Sequence, residues 1–326
     1  MKNLAAVYRS YGKPTEVVAI EEIEVPALKK GEILVKFLKA SINPSDLGMI
    51  GGSYGSLKTF PAIAGREGVG EVVEAAEGAT IKVGSRVRLS ADLGAWQQYQ
   101  VLDSSKAMVL PSDLDLDMSA MAFVNPPTAL CVVEQFQNLK AGDWLIQNGA
   151  GSALGYFVIQ ICASRGIKTV NMLRNASAKK SALEAIGADV VVDETEFDAK
   201  QIKELTGGKL LMGLNQIGGE SVSNMIKAMG KSATIATVGA MTSDAIRFPT
   251  RFLIFNDLHL CGFWWDNFQR TRSKAEVDAV FEKVFELIRN GTLRAPVDST
   301  FKLSDVNSAL KRACENSRMG KVMLEF

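Results

Sequence analysis

From residue 274 to 290 the apolar side chains Val277, Val280, Phe281, Val284, Phe285 and Ile288 recur at i, i+3, i+4, i+7, i+8 and i+11. That is the period of one buried helix face. Ser273 with Glu276 has the spacing of a capping box at its start, and Gly291 stops it. Upstream, from about Asp113 to residue 262, short apolar runs alternate with helical segments, the signature of a parallel α/β sheet. The pattern predicts strands over 143–148, 168–173, 189–192, 210–215 and 232–238, and helices over 152–165 and 177–186, the latter closed by Gly187. Leu258–Gly262 reads as a further buried strand. The first 112 residues have another texture: Ile33–Phe37, Gly70–Glu74 and Arg86–Leu89 are short β runs between turn residues, as in an irregular barrel or sandwich. The last 35 residues return to short strands. The predicted organisation is a discontinuous β-rich domain, residues 1–112 with 290–326, around an α/β domain, residues 113–289.

The 326 residues suit two domains at about 100–200 residues each. Lys plus Arg number 37 and Asp plus Glu 36, a net charge of +1. That balance argues against a nucleic-acid or membrane-surface protein, though it leaves room for a local basic patch. No stretch reaches the roughly 18 apolar residues of a membrane span. The four cysteines, Cys131, Cys162, Cys261 and Cys314, are spaced like neither a zinc site nor a disulfide framework. His259 is the only histidine, and it reads as a hydrogen-bonded residue of a buried strand, so no metal site is expected. The start of the chain has no cleavage signal. A cytoplasmic protein of a bacterium is the simplest reading; a processed organellar chain would look the same.

Between the strand at 143–148 and the helix that follows lies the turn Asn148–Gly149–Ala150–Gly151–Ser152–Ala153–Leu154–Gly155. Small residues there let the backbone approach a pyrophosphate, whose charge then faces the helix N-terminus. Ser152 stands where a third glycine is usual. At the end of the second strand, NAD readers place an acid for the ribose 2′-hydroxyl. This chain has Asn171–Met172–Leu173–Arg174–Asn175 instead, and Arg174 suits a 2′-phosphate. The predicted cofactor is NADPH. Lys179 and Lys180 either assist or are solvated helix residues, the second being the plainer reading.

Longer phrases carry a family resemblance. Pro61–Ala62–Ile63–Ala64–Gly65–Arg66–Glu67–Gly68–Val69–Gly70, Val83–Gly84–Ser85–Arg86–Val87 and Gly94–Ala95–Trp96–Gln97–Gln98–Tyr99 resemble phrases of the medium-chain dehydrogenase/reductase superfamily. In its zinc alcohol dehydrogenases a histidine ligand precedes the glutamate; here that position is Arg66, and the Cys-rich structural zinc loop is missing. The chain therefore resembles the zinc-independent reductases. Asn43–Pro44–Ser45–Asp46 followed by Gly52–Ser53–Tyr54–Gly55 resembles the NPSD…GxYG loop of trans-2-enoyl thioester reductases of mitochondrial type. Asn125–Pro126–Pro127–Thr128–Ala129 resembles their NPxTA, and Trp144–Leu145–Ile146–Gln147–Asn148 with Ser152–Ala153–Leu154–Gly155 their WxIQN…SAVG. Gly239–Ala240–Met241 resembles their GGM, and Gly262–Phe263–Trp264 their GFW. Asn175–Ala176 and Trp265 depart from the pattern.

The resemblance implies a GroES-like catalytic domain and a Rossmann-type doubly wound domain. It implies NADPH-dependent reduction of a 2-enoyl thioester on CoA or acyl carrier protein, with hydride to the β-carbon and a proton to the α-carbon. Tyr54 takes the place of the family's catalytic tyrosine, and Trp264 joins it at the site. Asn125, Gly151, Ser152, Ala153, Leu154, Arg174, Asn175, Val238, Gly239, Ala240, Met241, Phe263, Trp265 and Lys321 are the expected NADPH residues. A homodimer through the nucleotide domain is also carried by resemblance. Arg247, Arg251, Arg270, Arg272 and Lys274 could meet CoA phosphates or an acidic carrier, but a solvated face explains them as well. Other readings are an NADPH:quinone or alkenal reductase and a non-catalytic NADPH-binding protein.

Overall fold

In a computed structural model of the chain, residues 1–89, 92–242, 244–315 and 318–326 are described. The chain divides into two compact units, residues 1–123 with 295–326 and residues 124–294. The first boundary lies later than the change in sequence texture, because the helix Leu116–Met121 packs against the strands Glu32–Ser41 and Gly68–Ala75 of the first unit.

In the first unit, Lys2–Tyr8 pairs antiparallel with Val18–Glu24 and Ala62–Ile63. A second sheet runs Val297–Lys302, Lys321–Glu325, Glu32–Ser41, Gly68–Ala75, Arg86–Arg88, with Tyr99–Asp103 also on Glu32–Ser41. The C-terminal strand is set against the early one in the register Met323↔Ser41, Leu324↔Ala40. Alternation along these strands sends Ile33, Val35 and Phe37 into a core with Val72, Val87, Trp96 and Val322.

The second unit holds a parallel sheet in the order Val190–Asp193, Lys168–Leu173, Trp144–Gln147, Leu210–Asn215, Thr234–Thr237, His259–Gly262. In chain order this is 3-2-1-4-5-6, the doubly wound arrangement. The order reverses between Trp144–Gln147 and Leu210–Asn215, and open α/β sheets bind ligands beyond the carboxyl ends of strands at such a point.

Two predicted elements differ. The segment 177–186 is a short 3-10 turn, Ala176–Ala178, followed by the helix Lys180–Glu184. Left-handed Asn175, with φ 55°, starts a turn that breaks the helical run. The strand His259–Gly262 lies at the sheet's margin rather than inside it, and only Leu258, just before it, is buried.

Candidate functional site

The glycine turn sits at the reversal of strand order. Ser152 caps the helix Ala153–Ser164, its hydroxyl accepting from the Gly155 N–H at 3.0 Å and donating to Gln216 Oε1 at 2.9 Å. Gln216 in turn bonds Asn148, its N–H to Oδ1 at 2.7 Å and its Nε2 to the main-chain oxygen at 2.9 Å. These contacts tie the ends of the first and fourth strands together. A Cβ on Gly155 would lie 2.4 Å from the Ala150 carbonyl oxygen, so only glycine allows this helix–turn contact. A Cβ on Gly151 would lie 3.1 Å from the Lys179 Nζ. An ammonium is thus folded over the turn, which goes beyond the solvated reading of Lys179. Bare backbone, a capped helix start and a cation together fit a pyrophosphate. Ala153 lies half-buried in this first turn and Leu154 is buried below it.

Arg174 and Asn175 are exposed immediately after the strand Lys168–Leu173. Asp193 ends the neighbouring strand in register with Leu173. Its carboxylate accepts from the N–H groups of Ala176, at 3.0 Å, and Thr195, at 3.1 Å. Those bonds hold it below the usual carboxylate range, so it stays ionised and tied to the turn, while Arg174 stands exposed at the end of the neighbouring strand. The arrangement fits a 2′-phosphate.

At the next strand ends, Val238 and Gly239 are half-buried and Ala240 and Met241 exposed. The Val238 N–H bonds the Asn215 carbonyl at 2.9 Å, and Met241 that of Gln216 at 3.3 Å. The turn is thereby drawn to the same end of the sheet. Asn125 is half-buried at the first position of the helix Asn125–Gln135. Phe263 meets Phe136 edge-on at 5.8 Å. Trp264 is half-buried with the Arg270 guanidinium 4.6 Å from its ring centre. Trp265 is a correction: it is 4% exposed, stacked on Phe268 at 5.2 Å and edge-on to Phe281 at 5.6 Å. The helix Trp265–Thr271 begins there and turns this ring into the core, so it is not a cofactor contact.

In the first unit, Asn43–Pro44–Ser45–Asp46 is a helix start. Pro44 opens the helix Pro44–Ile50, and the buried Asp46 carboxylate accepts from the Asn43 N–H at 2.7 Å. Burial pushes the Asp46 carboxyl up to about 6, against the Asn43 N–H and the positive charges of Arg66 and Lys321 that pull it down. Glu67, also buried, accepts from Ser41 at 2.5 Å, Asn43 Nδ2 at 2.7 Å and the Phe123 N–H at 3.2 Å. Lys321 does not stand at the surface; it is 3% exposed and donates to Asn43 Oδ1. Burial brings its ammonium down to about 8. Above this charged floor, Tyr54 is half-buried, its hydroxyl oxygen accepting from Arg66 Nη1 at 2.6 Å. The role of Arg66 escaped the sequence reading, which registered it only as the absence of a histidine.

His259 is a second correction. It is exposed and pairs with Asp257 Oδ1 at 3.3 Å, because its strand is marginal. The basic residues are exposed and spread over separate partners. Arg251 lies 5.3 Å from the Phe252 ring centre and Arg272 5.6 Å from that of Phe268, while Lys274 pairs with Asp278. Among the described residues no helix is long and apolar enough to cross a membrane.

The chain matches two families, the alcohol dehydrogenase GroES-like domain over residues 29–112 and the zinc-binding dehydrogenase family over residues 153–284. The residues here do not fit a zinc. Arg66 precedes Glu67, whose carboxylate is already spent, and among the described residues no group of three or more His, Cys, Asp or Glu could hold a metal. The mitochondrial enoyl-[acyl-carrier-protein] reductase of Homo sapiens is 34% identical over 314 residues, covering 94% of this chain and 84% of that protein. That of Caenorhabditis elegans is 33% identical, covering 97% and 93%. Among solved structures, a putative NADPH:quinone reductase from Bacillus thuringiensis has a TM-score of 0.91 at 25% identity, covering 100% of this chain and 99% of that one. The Etr1p/NADP/crotonyl-CoA complex has 0.91 at 23%, with full coverage of both chains; at that identity it bears on the fold alone. The expectation of a cytoplasmic protein is overturned, since the relatives are mitochondrial by name.

Proposed function

Because the chain belongs to the medium-chain dehydrogenase/reductase superfamily, on its enoyl thioester reductase branch, we propose that it reduces trans-2-enoyl thioesters with NADPH. The substrate is carried on CoA or acyl carrier protein, and the product is the saturated acyl thioester. The observation that carries the reading is Tyr54, held by Arg66 beside the buried Asn43–Asp46 helix start.

When bound, NADPH supplies the hydride that adds to the β-carbon, and the α-carbon then takes a proton. The chain's part is to bind, orient and stabilise. Hydride addition pushes charge onto the thioester oxygen, and a donor whose bond strengthens as that charge grows accelerates the step. Tyr54 supplies that donor. The turn 149–155, with Lys179 over it, holds the pyrophosphate, and Arg174 the 2′-phosphate. Asn125, Phe263 and the turn 238–241 complete the cofactor set, and Trp264 serves the substrate by its family position.

The test is NADPH oxidation with crotonyl-CoA, a simple quinone and acrolein side by side. Turnover of crotonyl-CoA is expected. The likeness to the Bacillus thuringiensis protein favours a second reading, a quinone reductase; activity on the quinone alone would select it. NADPH binding with no turnover of any of the three would leave a binding protein.

The assembly is a homodimer through the nucleotide unit. Its marginal strand His259–Gly262 offers one edge that no other strand among the described residues pairs with, and the preceding helix Arg251–Phe255 exposes Ile254 at 69% and Phe255 at 73%. An open edge beside apolar side chains is a surface that a second copy covers.

A further inference from the structure

We propose that Arg66 is a positioning residue for Tyr54: it holds the phenol oxygen as an acceptor, so that the phenolic hydrogen is directed to the substrate oxygen. This rests on the reading of Tyr54 as the group that stabilises the reduced thioester.

Two contacts define the arrangement. Arg66 Nη1 lies 2.6 Å from Tyr54 Oη, and the guanidinium carbon lies 4.7 Å from the centre of the same ring. A guanidinium carries only donors, so the direction of the bond is settled: the phenol oxygen accepts. A tyrosine hydroxyl has one hydrogen and separate lone pairs, and the bond to Arg66 uses a lone pair. It therefore turns the hydroxyl without consuming its hydrogen. The contact with the ring face fixes the tilt of the ring as well.

The charge of Arg66 adds to the geometry. As the substrate oxygen becomes anionic it draws on the phenolic hydrogen, and negative charge grows on the Tyr54 oxygen. A permanent cation at 2.6 Å offsets that charge. Arg66 is 6% exposed, so water screens the effect little. The guanidinium stands among charged groups from several elements. Asp46 and Lys58 both feel its charge. Its neighbour Glu67 is fixed by Ser41, Asn43 and the Phe123 N–H, and Lys321 is coupled to the same two carboxylates. Only a planar fork makes the hydrogen bond and the ring contact together; lysine keeps the charge without the fork.

The experiment is a double-mutant cycle on kcat and KM with NADPH and crotonyl-CoA, using Arg66→Met, Tyr54→Phe and the double variant, with Arg66→Lys as the conservative change. Thermal unfolding and NADPH-induced tryptophan quenching monitor the folded, cofactor-binding state. Tyr54→Phe is expected to lower kcat about 100-fold. Arg66→Met is expected to lower it about 10- to 100-fold, the range of a charge-assisted hydrogen bond, with KM little changed. In the Tyr54→Phe background the same substitution should change kcat less than about threefold, because the hydroxyl through which Arg66 acts is gone. Arg66→Lys should recover part of the loss. Losses that multiply in the double variant, or an Arg66→Met enzyme with undiminished kcat, overturn the proposal while leaving Tyr54 in place. A Tyr54→Phe enzyme within threefold of the parent removes Tyr54 from the mechanism and the proposal with it. If Arg66→Met does not fold, the cycle is run with Arg66→Lys, and the same additivity decides.

Discussion

The Lys321 ammonium donates to the side-chain oxygen of Asn43 across 278 positions of chain. The strand register Met323↔Ser41 brings the two together, and the Ile42 N–H bonds the Val322 carbonyl at 3.0 Å. Lysine is there because two buried carboxylates, Asp46 and Glu67, lie within its field. Lys321→Met should therefore destabilise the protein by about 3–5 kcal/mol, the cost of leaving a buried charge uncompensated. Urea unfolding measures it. Unchanged stability with weakened NADPH binding would instead support the cofactor role expected of Lys321.

Asp46 makes the first unit sensitive to pH. Its folded-state value of about 6 lies above the ordinary 3.8, so between these values the folded chain binds the extra proton. Stability contributed by protonated Asp46 is then lost as pH rises through this window. Asp46→Asn should gain on the parent by up to about 1.4 kcal/mol per pH unit there, and hold that difference above pH 6. Lys321 acts at the other end: its folded value of about 8 lies below 10.5, so its cost is relieved as pH rises from 8. Chemical unfolding of parent and variant at pH 4.5 and 7 tests the Asp46 part; equal differences at both values would exclude it.

Arg174→Ala should narrow the preference for NADPH over NADH by about 10- to 150-fold, the range of a lost charge-assisted bond. The ratio of kcat/KM for the two cofactors reads it directly. An unchanged ratio removes Arg174 from 2′-phosphate recognition.

The two neighbouring tryptophans should separate cleanly. Trp265, between Phe268 and Phe281, is structural, and Trp265→Ala should cost about 3–5 kcal/mol in unfolding. Trp264, half-buried under Arg270, is the one proposed to serve the reaction. Trp264→Ala should lower kcat/KM for crotonyl-CoA about tenfold, equivalent to about 1.4 kcal/mol, with a much smaller loss of stability.

If the proposed homodimer forms through this surface, Phe255→Glu should convert it to a monomer in sedimentation, since a charge would be forced into an apolar contact. An unchanged sedimentation coefficient places the interface elsewhere.

Much of the nucleotide unit was legible because its strands are short apolar runs closed by turn residues. Lys168–Leu173 and Leu210–Asn215 stand as the hydrophobic pattern places them, and Ser273 with Glu276 caps its helix as the spacing requires. Position within a sheet is another matter. Leu258–Gly262 has the composition of a central strand, but no local pattern records that it lies last in the order 3-2-1-4-5-6, so composition alone predicts a buried His259. Trp264 and Trp265 are adjacent and identical in type; only the start of the helix at Trp265 decides which ring turns inward. Arg66 and Tyr54 are 12 residues apart, and their contact depends on a fold around Glu67 that spacing alone does not encode.

The pairing of Lys321–Glu325 with Glu32–Ser41 also sets an order of events during synthesis. Residues 124–294 form one contiguous unit and can close while translation continues. The first unit begins earlier but lacks a sheet neighbour, and the cation facing Asp46 and Glu67, until residue 321 leaves the ribosome. The domain that is started first is thus completed only after residues 124–294 have been made, because the strand Lys321–Glu325 and its ammonium come later in the chain.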